Sequence, residues 1–315
     1  MAYDIVGDVH GHAGKLTSLL TTLGYELTEE GWRHPSRQAI FVGDFIDRGT
    51  EGVETVAIVR AMVESGAAMA VMGNHELNAI AWHTPDPDHP GDYLRPRHRE
   101  PWGGKNRQQH EKFLLQVESD PDLHANIVSW FRTLPLWIDL PGLRVVHACW
   151  HDGHIDWLKP LLRDGRFLTP ELLAPAVVEP AGEATGPSVF HAVETLLKGV
   201  ELKLPEPHHF HDKDGIRRHH MRARWWDAQA ATYQQLSLDA GLAAMLPDLR
   251  AEWVGNRAPL SKPTFFGHYW MKGVPKLQGP NAICVDYSAG AGGPLAAYRW
   301  GAGVPLSAGH FVLAH

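Results

Sequence analysis

The chain has 315 residues, 44% hydrophobic and 21% charged, which is enough apolar material for a packed core and excludes global disorder. Its formal net charge of −7, from 29 Lys+Arg against 36 Asp+Glu, argues against bulk binding to nucleic acid or an anionic membrane. Only two cysteines, Cys149 and Cys284, occur; they exclude a disulfide framework, suit a reducing compartment and read as buried, inert thiols.

Met1-Ala2-Tyr3-Asp4 begins without the basic and apolar stretches of a secretory leader. No run of about 18 uncharged apolar residues is present to span a bilayer, so a cytoplasmic protein without membrane partners is expected. Short apolar runs follow one another, each ending in Gly, Asp, Asn or His. Residues 3–6 lead into Gly7-Asp8, 39–42 into Gly43-Asp44, 68–72 into Gly73-Asn74, 143–146 into His147, and 264–266 into Gly267-His268. Each reads as a buried strand that delivers a polar residue at its C-terminal end.

Between the strands, Leu16, Leu19, Leu20 and Leu23 keep a helical period before Gly24, a C-cap residue. Val53, Val56, Ala57, Val59, Arg60 and Val63 form the next helix, stopped near Gly66. The opening order β-α-β-α-β predicts an α/β fold. Residues 82–107, rich in Pro, His, Arg and Gly, read as a long loop, and 122–131 as a helix with Asp120 at its N-cap before Pro121. Residues 151–263 form a long insertion with a helix at 188–199 and polar loops at 205–220; the last strands are 283–287 and 295–300. Polar groups at the C-terminal ends of such strands converge on one crevice.

Three segments carry the chemistry. In Gly7-Asp8-Val9-His10-Gly11 the carboxylate and imidazole are two residues apart and share a side of an extended chain. Gly43-Asp44-Phe45-Ile46-Asp47-Arg48-Gly49 crowds two carboxylates and an arginine at a strand end; Asp44 can bridge two cations, and Arg48 offers a planar donor fork to phosphate oxygens. Gly73-Asn74-His75-Glu76 adds a neutral oxygen ligand, Asn74, and a candidate general acid, His75, held by a carboxylate such as Asp47. With His147 and His268, the residues Asp8, His10, Asp44 and Asn74 provide two divalent sites sharing one carboxylate.

This ordered set of motifs resembles the metallophosphoesterase superfamily, in the phosphoprotein-phosphatase-like branch that includes bacterial diadenosine tetraphosphatase-like enzymes. The resemblance implies an α/β fold built as a two-sheet β-sandwich flanked by helices. It implies Asp8, His10 and Asp44 on a first metal ion, and Asp44, Asn74, His147 and His268 on a second. His75 would pair with Asp47 near the leaving group, and Arg48 would hold the phosphate with Asn74. A second phosphate-binding arginine is implied between the last two histidines; Arg222 and Arg224 are candidates, with Arg224 favoured.

A single domain over 1–315 is expected, with lid or insertion regions at about 82–120 and 151–263. The expected activity is two-metal hydrolysis of a phosphomonoester or nucleotide-type substrate, as a phosphatase or nucleotide pyrophosphohydrolase, by in-line attack of a metal-bridging hydroxide. The mixed oxygen and nitrogen donors suit Mn²⁺ first, then Fe or Zn²⁺.

Basic stretches above the site point to an anionic substrate larger than a lone phosphate: Arg95, Arg97, Arg99, Lys105, Arg107 and Lys112 in one, and Lys213, Arg217, Arg218, Arg222 and Arg224 with His219 and His220 in the other. A dinucleoside polyphosphate, a nucleotide or a nucleic-acid end fits, with Trp82, Trp102, Trp225 and Trp226 as candidates for base stacking. A serine/threonine phosphoprotein phosphatase, and a catalytically silent metal- or phosphate-binding module, are the alternatives. A dinucleotide-dependent oxidoreductase is excluded, because Gly7–Gly11 lacks the Gly-x-Gly-x-x-Gly spacing and places Asp8 and His10 where small residues are needed.

Overall fold

Five strands form the first sheet, in the order Phe311–Ala314, Leu295–Gly301, Ala2–Val6, Gln38–Phe41, Ala68–Ala70. Ala2–Val6, Gln38–Phe41 and Ala68–Ala70 run parallel, with Ile5 opposite Ile40 and Phe41 opposite Ala70. The second sheet runs Ala282–Cys284, Thr264–Phe266, Arg144–Val146, Trp137–Asp139, with only its last pair antiparallel. This computed structural model describes residues 1–180, 187–211, 217–251 and 259–315.

Residue alternation explains how the two sheets pack. Tyr3, Ile5, Ile40 and Tyr298 of the first sheet form one buried cluster with Ile138, Val145, Phe265 and Ile283 of the second. The rings of Phe265 and Tyr298 meet there at 5.3 Å. The intervening residues Val6, Ala39, Phe41, Ala68, Ala70, Phe266, Ala282 and Cys284 belong to a different cluster, on the helical side. Both faces of each sheet are therefore buried. Such strands read as continuous apolar runs rather than as alternation.

The helices α1 (Ala13–Leu23) and α2 (Gly52–Glu64) lie close to their expected places. Leu16, Leu19, Leu20 and Leu23 are buried, and Gly24, at φ +88°, closes α1 by donating its N–H to Leu20 and Thr21. Two more helices follow, α3 (Asn74–His83) and α4 (Gly103–Val117). They shorten the loop expected over 82–107 to residues 84–102. The buried stripe of α4, His110, Phe113, Leu114 and Val117, keeps a helical period but begins only in its second half. The first half, from Gly103-Gly104 through Gln109, carries no apolar signal. Helix α5 (Pro121–Phe131) starts as expected, with the Asp120 carboxylate accepting from the N–H of Leu123 at 3.0 Å.

The insertion contributes α6 (Asp152–Leu158), α7 (Pro170–Val177) and α8 (Val189–Lys198). The stretch at 205–220 holds the paired strands Phe210–His211 and Arg217–Arg218, and His220–Arg222 pairs with Glu201–Lys203. Lys213 lies outside the described residues. The strand Phe311–Ala314 had no sequence-based expectation; it is short, and pairing with Leu295–Gly301 defines it. No described helix is long and apolar enough to cross a membrane.

His124, on α5, is buried among the rings of His83, at 4.8 Å, and Phe113, at 5.6 Å. Burial pushes its pKa down to about 4. The unfolded chain, with histidine near 6.5, then binds the extra proton first as pH falls, so stability is lost across that window. Urea midpoints should show the native state losing about 1–2 kcal/mol more between pH 7 and pH 5 than the same protein carrying His124→Phe.

Candidate metal centre

Six strand ends meet on one side of the molecule. They deliver Asp8 and His10, Asp44 and Asp47, Asn74 and His75, His147, His268, and, from Ala282–Cys284, Asp286. The chain is strained there. Eight non-glycine residues with positive φ occur among those described, and seven are at these turns: His10, Asp44, Asp47, Arg48, His268, Trp270 and Ser288. Left-handed backbone costs energy for such residues and persists only where the surroundings enforce it.

Asp44 is the hub. One of its carboxylate oxygens, Oδ2, lies 3.7 Å from His10 Nε2, 3.9 Å from His75 Nε2 and 3.4 Å from His147 Nε2. Two groups of donor atoms, His10/Asp44/His75 and Asp44/His147/His268, each lie within 4.8 Å of one another, with Asp44 common to both. Asn74 joins the second group, its Oδ1 lying 3.1 Å from His147 Nε2 and 2.9 Å from His268 Nδ1. Asp8 accepts the backbone N–H of His268 through Oδ2 at 2.9 Å. The close approach needs glycine: a Cβ on Gly267 would fall 1.9 Å from Asp8 Oδ1, and one on Gly73 would fall 2.2 Å from Asp44 Oδ1.

These side chains fit divalent cations on chemistry visible in the chain itself. The Val42 carbonyl accepts from His147 Nδ1 at 2.7 Å, and the Ile46 carbonyl from His10 Nδ1 at 3.2 Å. Each bond fixes the tautomer and turns the lone pair of Nε2 into the site, the usual orientation of a metal-ligating imidazole. Asp8 Oδ1, His10 Nε2 and His268 Nε2 are buried without a hydrogen-bond partner among the described residues, which is costly for groups left without a ligand. Burial, with Asp286 and Asp44 nearby, pushes the Asp8 carboxyl well above the usual range. Burial likewise pushes Asp286 up to about 6. Burial opposes a charged His147, yet Asp44 outweighs it and holds that imidazole up to about 10. The buried carboxylates Asp8, Asp44 and Asp286 crowd the centre, and positive charge there relieves their mutual repulsion.

Two further groups frame the centre. Asp47 bridges two imidazoles, with Oδ2 at 2.5 Å from His75 Nδ1 and Oδ1 at 2.9 Å from His110 Nδ1. Against the effect of burial, His110 and His75 hold its carboxyl below the usual range. Burial disfavours charge on His75, but Asp44 and the bond to Asp47 together raise its pKa. Glu76, wholly buried, accepts the backbone N–H groups of Asp44 at 2.8 Å, Phe45 at 2.8 Å and Gly73 at 2.9 Å. It thereby locks the Asp44 turn onto the start of α3.

A polar cleft of about 770 Å³ opens over Asp44, Asn74, His75 and His268. Of the basic residues in the two expected stretches, Arg95, Lys105, Arg218, His220 and Arg222 line it together with Arg48. Arg224 does not, which corrects the preference for it over Arg222. His220 and Arg222 share one side of the strand His220–Arg222, while Met221 between them is buried. After Arg222 the chain leaves the strand, and the Arg224 guanidinium donates to the Gln235 carbonyl instead. Arg222 Nη1 approaches the His268 carbonyl at 3.5 Å.

The tryptophans proposed for stacking also lie elsewhere. Trp225 and Trp226 pack on Phe266 at 5.0 Å. Trp82 is buried beside His110, and Trp102 is exposed away from the cleft. Trp270 is the tryptophan at its wall, with the Arg48 guanidinium 5.6 Å from its ring centroid. Cys149 and Cys284 are both buried, as expected. Sequence reasoning gave no role to Glu76, His110, Asp286 or Trp270. The strand-end rule that found the others reaches Asp286, because the run at 283–285 ends on it. No local signal marks His110.

A family model described as calcineurin-like phosphoesterase matches residues 1–214. The chain is 40% identical over 149 residues to the asymmetrical bis(5'-nucleosyl)-tetraphosphatase PrpE of Oceanobacillus iheyensis, covering 47% of this chain and 55% of that protein. It is 29% identical over 166 residues to the symmetrical bis(5'-nucleosyl)-tetraphosphatase of Shewanella baltica, covering 52% of this chain and 49% of that protein. The match thus spans about half the length of these curated relatives. Among solved structures, a cold-active protein tyrosine phosphatase aligns with a TM-score of 0.50 and 16% identity, over 99% of this chain and 78% of that one, a likeness of fold alone.

Proposed function

The chain belongs to the calcineurin-like phosphoesterase family, and on that premise we propose that it hydrolyses a nucleotide-type substrate, a dinucleoside polyphosphate first, at a centre of two divalent cations. Asp8, His10 and Asp44 hold one ion, and Asp44, Asn74, His147 and His268 hold the other. Mn²⁺ suits this donor set first, with Fe and Zn²⁺ next. Residues 1–315 act as one catalytic unit, with 82–120 and 151–263 as its lid regions. The observation that carries this reading is the single carboxylate of Asp44 lying within reach of both donor groups.

Bound there, the two cations supply Lewis acidity, lowering the pKa of a water and polarising the phosphoryl group. The chain's own residues do the rest. Arg48 and Arg222 reach phosphate oxygens across the cleft, spreading the charge that grows on the transferred group. Arg95, Lys105 and Arg218 add further cations to a lining that also holds Glu179, Glu194 and Glu201, and offer partners to a chain of several phosphates. Asp47 holds the Nδ1–H of His75, so that Nε2 faces the cleft and carries a proton to the leaving oxygen. Asp47 belongs to neither ion, so its support of the imidazolium persists once Asp44 is committed to cations. Protonated in this way, His75 acts as the acid rather than as a metal ligand.

His75→Asn is expected to lower kcat by about 10²–10⁴ while leaving the bound metal, measured by elemental analysis, unchanged. Loss of one ion on this substitution would instead make His75 a ligand.

The test of function is a competition assay on Mn²⁺-loaded protein with diadenosine tetraphosphate, p-nitrophenyl phosphate and a phosphoserine peptide. Turnover of the dinucleotide ahead of the peptide is the expected result. Preference for the peptide would make the protein a serine/threonine phosphatase. Tight phosphate binding without turnover of any of the three would make it a silent binding module.

A further inference from the structure

We infer that His110, a residue of the lid helix α4, is a positioning residue that fixes Asp47 and, through it, the proton donor His75. The inference rests on the hydrolytic reading above and extends it to a residue outside the strand-end motifs. Asp47 sits in a tight turn with its backbone at φ +69°. The residue is 2% exposed, and its carboxylate is divided between two imidazoles. The terminal torsion of an aspartate is broad and nearly two-fold, so one hydrogen bond at Oδ2 leaves the group free to rock. The second bond, from His110 Nδ1 to Oδ1, removes that freedom.

His110 is itself held fast. It is 2% exposed, wedged between the rings of Phe113, at 5.1 Å, and Trp82, at 5.9 Å. Donation from Nδ1 to a carboxylate sets its tautomer, and its Nε2 has no hydrogen-bond partner among the described residues. The ring is therefore anchored through Nδ1 alone, and α4 carries the orientation of the His75–Asp47 pair. The arrangement couples the lid to the proton-delivery step through Asp47.

The test uses leaving groups of different acidity, because a proton donor matters less when the departing oxyanion is stable. His110→Phe keeps the ring volume against Phe113 and Trp82 but loses the donor. His110→Asn places an N–H close to the position of Nδ1 and restores it. For the full-length Mn²⁺-loaded protein, H110F should lose about tenfold more kcat on phenyl phosphate than on p-nitrophenyl phosphate, in line with the 10–100-fold effects of comparable supporting partners. H110N should recover most of the difference. Equal losses on both esters, or H110N no better than H110F, would overturn the inference.

A second readout needs no turnover. In metal-free protein labelled with ¹⁵N-histidine, the hydrogen-bonded Nδ1–H resonance of His75 should shift or broaden in H110F and return in H110N. An unchanged resonance in H110F overturns the positioning role even in a protein without activity. Failure of the wild-type protein to hydrolyse either ester, with the resonance shifting as expected, would count against the hydrolytic reading and not against the link from His110 to His75.

Discussion

Asp44→Asn will remove both metal ions and lower kcat by at least about 10³-fold. Asp44 is the only residue common to the two donor groups, so its loss cannot be confined to one of them. The variant is a fair test because the amide keeps the shape of the side chain. Its oxygen can still accept the backbone N–H of His75, now at 3.0 Å from Oδ1. In the metal-free protein Asp44 is also the counter-charge that holds His147 up to about 10. Without that counter-charge, burial disfavours the charged form of His147, and the neutral ring removes an unpaired buried charge. The fold should therefore survive, with a thermal midpoint close to that of metal-free wild type, while elemental analysis finds less than one ion per chain. Retention of both ions with full turnover would end the two-metal proposal.

Glu76→Ala is expected to cost the fold more than any substitution among the metal donors. Its carboxylate accepts three buried backbone N–H groups, from Asp44, Phe45 and Gly73. Alanine would leave all three without an acceptor and open a void behind them. Each orphaned buried donor costs about 1–3 kcal/mol, and some relaxation is certain, so a total loss of about 3–5 kcal/mol is expected in urea unfolding. Activity should fall with it, because the bonds from Glu76 hold Asp44 in its left-handed turn at φ +56°. Glu76→Gln keeps one acceptor oxygen but turns an NH₂ toward the donors, and should fall between wild type and alanine. A Glu76→Ala protein that unfolds at the wild-type midpoint would show that water can replace the carboxylate.

Much of the site was readable from sequence because each candidate sits next to a structural event. Asp8, Asp44, Asn74, His147 and His268 all follow apolar runs directly. A buried parallel strand must end where its backbone leaves the sheet, and the crevice lies there. The same logic would have given Asp286. His110 was out of reach for a different reason. It lies on a helix whose polar first half resembles a loop, and its partner, Asp47, is 63 residues away. Glu76 stood inside a recognised motif, but two of its three bonds go to Asp44 and Phe45, beyond the end of the strand Gln38–Phe41, a contact that no spacing encodes.

The arginine and tryptophan assignments show the same boundary from the other side. Arg222 and Arg224 are equivalent in charge and two residues apart. One faces the cleft and the other does not, because the strand that would keep them in phase ends at Arg222 itself. Trp225 and Trp226 sit beside basic residues, yet the helical side of the second sheet needs their area against Phe266, and burial of so large an apolar surface takes precedence over exposure to a ligand.

The family of the chain, its α/β order and the polar residues at five strand ends were all legible in the linear order of residues, since they follow from local patterns of burial and turn. The position of Asp44 between two donor groups, the second imidazole on Asp47, the backbone lock by Glu76 and the placement of Arg222 rather than Arg224 at the cleft wall come only from the folded arrangement. Those depend on which distant segments come to lie side by side, and that is set by the packing of two sheets whose strands are up to hundreds of residues apart.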